Sequence, residues 1–142
     1  MVEKNLLIIE DSQSDIELIK EAFSIAEIDV NISTAKDGDE AVKYLNREAP
    51  YEDSPRPELI LLDLNLPKKN GHEILKYCRQ EEKFRHIPVI ILTTSDSQDD
   101  INSCYAEECN AYIVKPFNIN QLVDTVKELH ELWFSVSKLL ER

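Results

Sequence analysis

Glycine, methionine and tryptophan are scarce in this chain of 142 residues, which holds two, one and one of them. Two glycines cannot build a glycine-rich phosphate cradle. Neither G-x-G-x-x-G nor a P-loop occurs, so no nucleotide cradle is indicated. With so little glycine and six prolines, there is also no flexible low-complexity linker. Cys78, Cys104 and Cys109 are odd in number and lack C-x-x-C spacing. They read as free, buried thiols in a reducing compartment. No apolar run approaches the ~20 residues that cross a bilayer. The opening Met1-Val2-Glu3-Lys4 lacks the basic region and apolar core of a secretory leader, so a cytoplasmic protein is expected. Basic residues are few as well: 16 Lys and Arg stand against 28 Asp and Glu, a formal charge of −12. That balance argues against a nucleic-acid backbone or an anionic membrane as direct partner.

What the chain does hold is a series of short apolar runs that stop at polar residues. Leu59-Ile60-Leu61-Leu62 ends at Asp63, between Pro57 and Pro67. A run this short and unalternating is a strand buried on both faces. Leu6-Leu7-Ile8-Ile9 ends at Glu10-Asp11, Val89-Ile90-Ile91-Leu92 at Thr93, and Ala111-Tyr112-Ile113-Val114 at Lys115-Pro116. Val30 and Ile32 alternate with Asn31 and Ser33, the pattern of an edge strand.

Helical spacing fills the gaps. Ser14-Asp15-Ile16-Glu17 has capping-box spacing, followed by Ile16, Ile19, Phe23 and Ala26 on one face. Asp37-Gly38-Asp39-Glu40 opens a second helix with Val42 and Leu45 inward, its acids suiting the N-terminal dipole. Asn70 is the expected N-cap of a third, with Ile74, Leu75 and Cys78 inward. A fourth turns Ile101, Cys104 and Tyr105 to the core. Ala49 to Pro57, with three prolines, excludes regular structure. The last helix starts near Asn118 and carries Ile119, Leu122, Val126, Leu129, Trp133, Val136 and Leu140. About 22 helical residues reach about 33 Å, longer than one sheet face needs. Its last third, with Trp133 and Phe134, is expected to project.

Five strands alternating with five helices make an α/β fold. It is a doubly wound, five-stranded parallel sheet of flavodoxin-like order 2-1-3-4-5 with a long C-terminal helix. One domain is expected over residues 1–142, its core at about 4–130 and a helix extension over 131–142.

In that order, strands 1, 3, 4 and 5 are neighbours, and ligands of such sheets bind at the carboxyl ends of the strands. Glu10, Asp11, Asp63, Thr93 and Lys115 therefore meet at one rim. Singly, each is an ordinary loop or cap residue; five together are not. Three close carboxylates repel and raise one another's pKa unless a divalent cation such as Mg²⁺ joins them. One of them can then act as a nucleophile on phosphorus, with the ammonium and hydroxyl as donors. No His or Cys stands at a strand end, so triad and thiol chemistry have no candidate. His72, His86 and His130 are scattered without ligand spacing and read as surface residues.

Glu10-Asp11, Asp63 with Leu66-Pro67 and Gly71, Thr93, and Lys115-Pro116 stand in the order and spacing of a known family. From about Leu6 to Leu129 the chain resembles the receiver domains of two-component response regulators, the CheY-like fold. The resemblance implies that Asp63 accepts a phosphoryl group from a phosphohistidine on a sensor histidine kinase. It implies that Asp11, Asp63 and the backbone carbonyl of Asn65 hold Mg²⁺, with Glu10 reaching it through water. Lys115 would pair with Asp63 and then with the phosphoryl group, across a cis Lys115–Pro116 bond. Thr93 would move toward the phosphoryl group and Tyr112 inward, reshaping the face of helix 4, strand 5 and helix 5. The chain would be no enzyme beyond its own phosphorylation and dephosphorylation. The Pro-rich segment 53–57 and the Trp-bearing last helix also resemble stand-alone regulators that serve phytochrome-type kinases. No second domain is seen after Arg142, so output is expected through a partner, and homodimerisation through the helix-5 heptads is expected. The competing readings are a pseudo-receiver that binds partners without phosphorylation, a flavodoxin-like flavin carrier and an Asp-nucleophile phosphatase. The phosphatase would need a second acid where Asn65 stands, and the Glu10-Asp11 loop would repel a flavin phosphate.

Overall fold

Short apolar runs become strands here because each is covered from both sides. The computed structural model describes residues 4–116 and 118–140, with side chains as far as Leu132. The elements are β1 (Lys4–Ile9), α1 (Gln13–Ile25), β2 (Val30–Ala35), α2 (Gly38–Leu45), β3 (Leu59–Leu62), α3 (Gly71–Gln80), β4 (Val89–Thr93), α4 (Gln98–Ala106), β5 (Ala111–Val114) and α5 (Ile119–Leu140). All strand pairs are parallel and the order is β2-β1-β3-β4-β5, as expected from the sequence.

Successive strand residues point to opposite faces. Leu7, Ile9, Ile60, Leu62 and Ile91 pack with Ala41, Leu45, Ile74, Leu75, Cys78 and Cys104 of α2, α3 and α4. Leu6, Ile8, Leu59, Leu61, Ile90 and Leu92 pack with Ile16, Ile19, Phe23, Leu122, Val126 and Leu129 of α1 and α5. Both faces are apolar, so the inner strands carry no alternation. β5 departs from the expectation of a buried run. It is the second edge of the sheet, its residues are half-buried, and Val114 is 43% exposed.

Local chemistry sets the helix ends. α1 begins earlier than its capping-box spacing suggested: Ser12 is the N-cap, and its Oγ accepts from the Asp15 N–H at 3.3 Å. Asp37, Asn70 and Ser97 cap α2, α3 and α4 in the same way. Glu27, Arg47 and Glu108 follow three of the helices in the left-handed region, at φ of 57°, 54° and 64°. The next amides, of Ile28, Glu48 and Cys109, bond back to Phe23, Lys43 and Cys104. These are closing turns that glycine usually makes.

On α4, Cys104 is fully buried, but Tyr105 is 51% exposed, contrary to its expected inward placement. Cys104 is the buried position of α4, and Tyr105, the next residue, lies roughly 100° around the helix from it. The irregular segment 49–57 is held by α2 and the turn after it. Tyr44 Oη donates to the Pro55 carbonyl at 3.1 Å, Arg47 Nε to that of Ser54 at 3.0 Å, and Tyr51 Oη to Glu40 at 3.2 Å. The side chains of Trp133, Phe134, Val136 and Leu140 lie outside the described residues, and so does the expected projection of that end.

Candidate functional site

Backbone pairing fixes the rim. The Asp63 N–H donates to the Ile9 carbonyl at 3.0 Å, Lys115 N–H to that of Thr93 at 2.7 Å, and Glu10 N–H to that of Ala35 at 2.9 Å. These bonds extend the ladders one step past the strands and hold four sequence-predicted residues at their carboxyl ends. One carboxylate oxygen each of Glu10, Asp11 and Asp63 lies within 4.8 Å of the others. Glu10 and Asp63 are buried, and Asp11 is exposed. Thr93 is fully buried, and its Oγ1 accepts from the Ser95 N–H at 3.4 Å. Asn65 is exposed, and its N–H donates to Asp63 Oδ1 at 3.4 Å.

The two glycines explain how the loop after β3 is seated. Gly71 opens α3 against the Asp63–Leu64 backbone: a Cβ there would stand 2.4 Å from the Asp63 carbonyl oxygen and 2.6 Å from Leu64 Cα. Gly38 opens α2 against Lys69, whose Cβ and carbonyl oxygen would both lie 2.3 Å from an added Cβ. The loop bearing Asp63 and Asn65 is thus pressed between two helix starts where no side chain fits.

Lys115 is the hub of the charges. Its ammonium donates to Glu10 in a short hydrogen bond, to Asp15 Oδ2 at 2.8 Å and to Asp63 Oδ2 at 3.4 Å. Burial pushes the Glu10 carboxyl up to about 7, against the bonds from Lys115 and the Ser12 N–H that hold it down; the Asp63 charge adds to the rise. Burial pulls the Lys115 ammonium down. The bonds to Asp15 and Glu10 and the charge of Asp63 outweigh it, so Lys115 holds its proton more tightly than usual. The Lys115–Glu10 attraction alone would lower Glu10. Desolvation wins there because Glu10 is 2% exposed. Several carboxylates facing one ammonium leave surplus negative charge and an all-oxygen donor set. That chemistry fits a hard divalent cation, not a soft one.

Asp15 and a second network were not anticipated. Tyr112, half-buried, donates from Oη to the Ser95 carbonyl at 2.8 Å, and its N–H donates to Tyr105 Oη at 3.2 Å. Ser95 Oγ donates to Asp100 at 2.5 Å, and His72 Nε2 lies 3.0 Å from the other Asp100 oxygen. His72 is therefore a partner of α4 rather than a bare surface residue. The bonds from Ser95 and then His72 hold the Asp100 carboxyl below its usual range. The spacing that could have revealed Asp15 is its place on the first turn of α1, four residues after Asp11. The expected cis bond at Lys115–Pro116 is not found. Among the described residues the cis bond is Ala49–Pro50, and Lys115–Pro116 keeps the ordinary trans form.

A five-stranded 2-1-3-4-5 sheet of this kind, with acids and a lysine at its carboxyl rim, defines the signalling modules of two-component systems. The chain belongs to the response regulator receiver domain family, whose model matches residues 6–127. It is similar to the response regulator Rcp1 of Synechocystis sp., 39% identical over 136 residues, which cover 96% of this chain and 92% of that relative. Among solved structures it is similar to the phosphorylated cyanobacterial phytochrome response regulator RcpA. That match has a TM-score of 0.87 at 42% identity and covers 94% and 96% of the two chains. The Mn²⁺-bound form of Rcp1 matches with a TM-score of 0.83 at 40% identity, covering 92% and 94%. Receiver domains of this family are signalling modules that bind a divalent metal and work with sensor histidine kinases. No described helix is long and apolar enough to cross a membrane.

Proposed function

We propose that Asp63 is the phosphoacceptor of this receiver. The observation that carries the reading is the convergence of the Glu10, Asp11 and Asp63 carboxylates beside the Lys115 ammonium. An Asp63 oxygen attacks phosphorus on a phosphohistidine of the kinase. The P–N bond breaks, its electron pair stays on the imidazole nitrogen, and an acyl phosphate forms on Asp63. Glu10, Asp11, Asp63 and the Asn65 carbonyl would hold Mg²⁺, which when bound offsets the charge of the carboxylates and of the phosphoryl oxygens. Lys115 supplies an N–H to a phosphoryl oxygen.

The Asp63 carboxylate already carries one negative charge, so its acyl phosphate adds roughly −0.5 to −1 of net charge, and it brings three phosphoryl oxygens as acceptors to the rim. Thr93 turns its hydroxyl to one of them. Its present bond from the Ser95 N–H is long and easily exchanged. Tyr112, bonded to the Ser95 carbonyl, follows the loop, and the face of α4, β5 and α5 changes. A phytochrome-type kinase is the proposed donor, supported by the likeness to RcpA and Rcp1. Homodimerisation through α5 and a cytoplasmic location complete the proposal. Light scattering at two concentrations that finds monomer throughout would remove the dimer.

Intact-mass spectrometry after incubation with acetyl phosphate tests the site. One added phosphoryl group, dependent on Mg²⁺ and lost in Asp63→Asn, is expected. An adduct of equal yield in Asp63→Asn would overturn the assignment.

A further inference from the structure

The Lys115 ammonium has three N–H donors, and all three point at carboxylates: Glu10, Asp15 and Asp63. A phosphoryl oxygen can be received only if one of these bonds is given up. Glu10 is an unsuitable one to release, because its carboxylate is 3% exposed and would be left buried without its cation. Asp63 is the acceptor itself, and its bond is the longest of the three. Asp15 differs from both. Its side chain is 34% exposed, so water can take the place of the ammonium there.

An acid in the first turn of α1 is ordinarily explained by the helix dipole or by a capping box. That explanation does not cover the contact observed. The Ser12 N–H, which a capping-box acid would accept, is taken by Glu10 Oε2 at 3.1 Å. The Asp15 carboxylate instead reaches a residue 100 positions away, joining α1 to the end of β5.

We infer that Asp15 is a positioning residue that parks the third N–H of Lys115 and is exchanged for a phosphoryl oxygen when Asp63 is modified. The inference rests on Asp63 being the phosphoacceptor. Asp15 then competes with the phosphoryl group for Lys115, so it favours the resting state. Asp15→Asn keeps the shape and removes the charged acceptor. It favours the phosphoryl-bound state, because the competing bond weakens.

The test is titration with beryllofluoride, an analogue of an aspartate-bound phosphoryl group, at saturating Mg²⁺. It follows chemical shifts of the backbone amides in wild type, Asp15→Asn and Glu17→Gln. Glu17→Gln makes the same charge change on the same helix at an exposed residue whose partner is Gln13. Asp15→Asn is expected to bind about two- to fivefold more tightly than wild type, the scale of a partly exposed ion pair. Glu17→Gln is expected to match wild type. Equal or weaker binding by Asp15→Asn overturns the inference, and so does a gain of the same size in Glu17→Gln. Binding by none of the three overturns the phosphoacceptor reading, and this inference with it. Thermal unfolding of each variant confirms that folded proteins are compared.

Discussion

Replacing Gly71 by alanine sets two effects against each other. In an open helix interior the exchange would stabilise by about 1 kcal/mol, because alanine is the better helix former. At Gly71 the added Cβ would stand 2.4 Å from the Asp63 carbonyl oxygen and 2.6 Å from Leu64 Cα. Both are backbone atoms, and neither can rotate aside. Moreover, the Gly71 N–H donates to the Leu64 carbonyl at 3.0 Å, so retreat would stretch that bond. Overpacking of this kind costs about 1–3 kcal/mol, and Gly71 is the first residue of α3, where the helix-propensity gain is smallest. The net prediction is destabilisation by about 1–3 kcal/mol, or a melting point lower by about 3–10 °C for a chain of this size. Because the displaced backbone carries Asp63, acyl phosphate should also form more slowly. Thermal unfolding and intact-mass time courses measure the two effects. A higher melting point with unchanged phosphorylation would refute the argument from close approach.

Three further predictions concern residues away from that contact. The folded Glu10 carboxyl, at about 7, lies above its ordinary 4.5, so the folded state binds its proton more tightly than the unfolded chain. The stability this provides is complete below pH ~4.5 and is lost as the pH rises through ~7, an amount of about 3 kcal/mol. Urea unfolding of metal-free protein at pH 5 and 8 should show that loss, and Glu10→Gln should flatten it; a loss undiminished in Glu10→Gln would sink the assignment. Glu27, exposed and left-handed after α1, should gain about 0.5–1 kcal/mol on Glu27→Gly, read as a higher melting point. Arg79 donates to the Glu108 and Ile87 carbonyls at 2.9 and 3.0 Å and to Asn110 at 2.8 Å. Arg79→Met removes the guanidinium donor from all three, leaving Asn110 Oδ1 with the Val89 N–H at 2.9 Å, and should cost about 2–3 kcal/mol by urea unfolding, with phosphorylation intact.

The inner sheet was legible because burial on both faces requires unbroken apolar runs, and β1, β3 and β4 are such runs. Their polar stops then gave Glu10, Asp11, Asp63 and Thr93, and the strand order brought Lys115 beside them. What stayed hidden depends on tertiary partners. Asp15 reads as a helix-start acid until β5 delivers Lys115 to it. His72 reads as a surface residue until α4 places Asp100 against it. The bonds of Arg79, near the end of α3, are made to segments some 8 to 31 positions on, which no local spacing marks. Spacing turns Tyr105 inward, yet it follows the buried Cys104 by one residue, roughly 100° around the helix, and so lies off the buried face. Ala111-Tyr112-Ile113-Val114 looks like the inner strands in sequence. Being last in the sheet order, it has a neighbour on one edge alone.

The central claim is that the phosphoryl group is carried by the Asp63 carboxylate. Borohydride reduces an acyl phosphate to an alcohol, turning an aspartyl residue into homoserine. The most direct measurement is therefore peptide mapping of protein treated with phosphodonor and Mg²⁺ and then reduced. Homoserine at position 63, absent without phosphodonor, is the predicted result. Homoserine at Asp11 or another acid, with Asp63 intact in phosphorylated protein, would contradict the account.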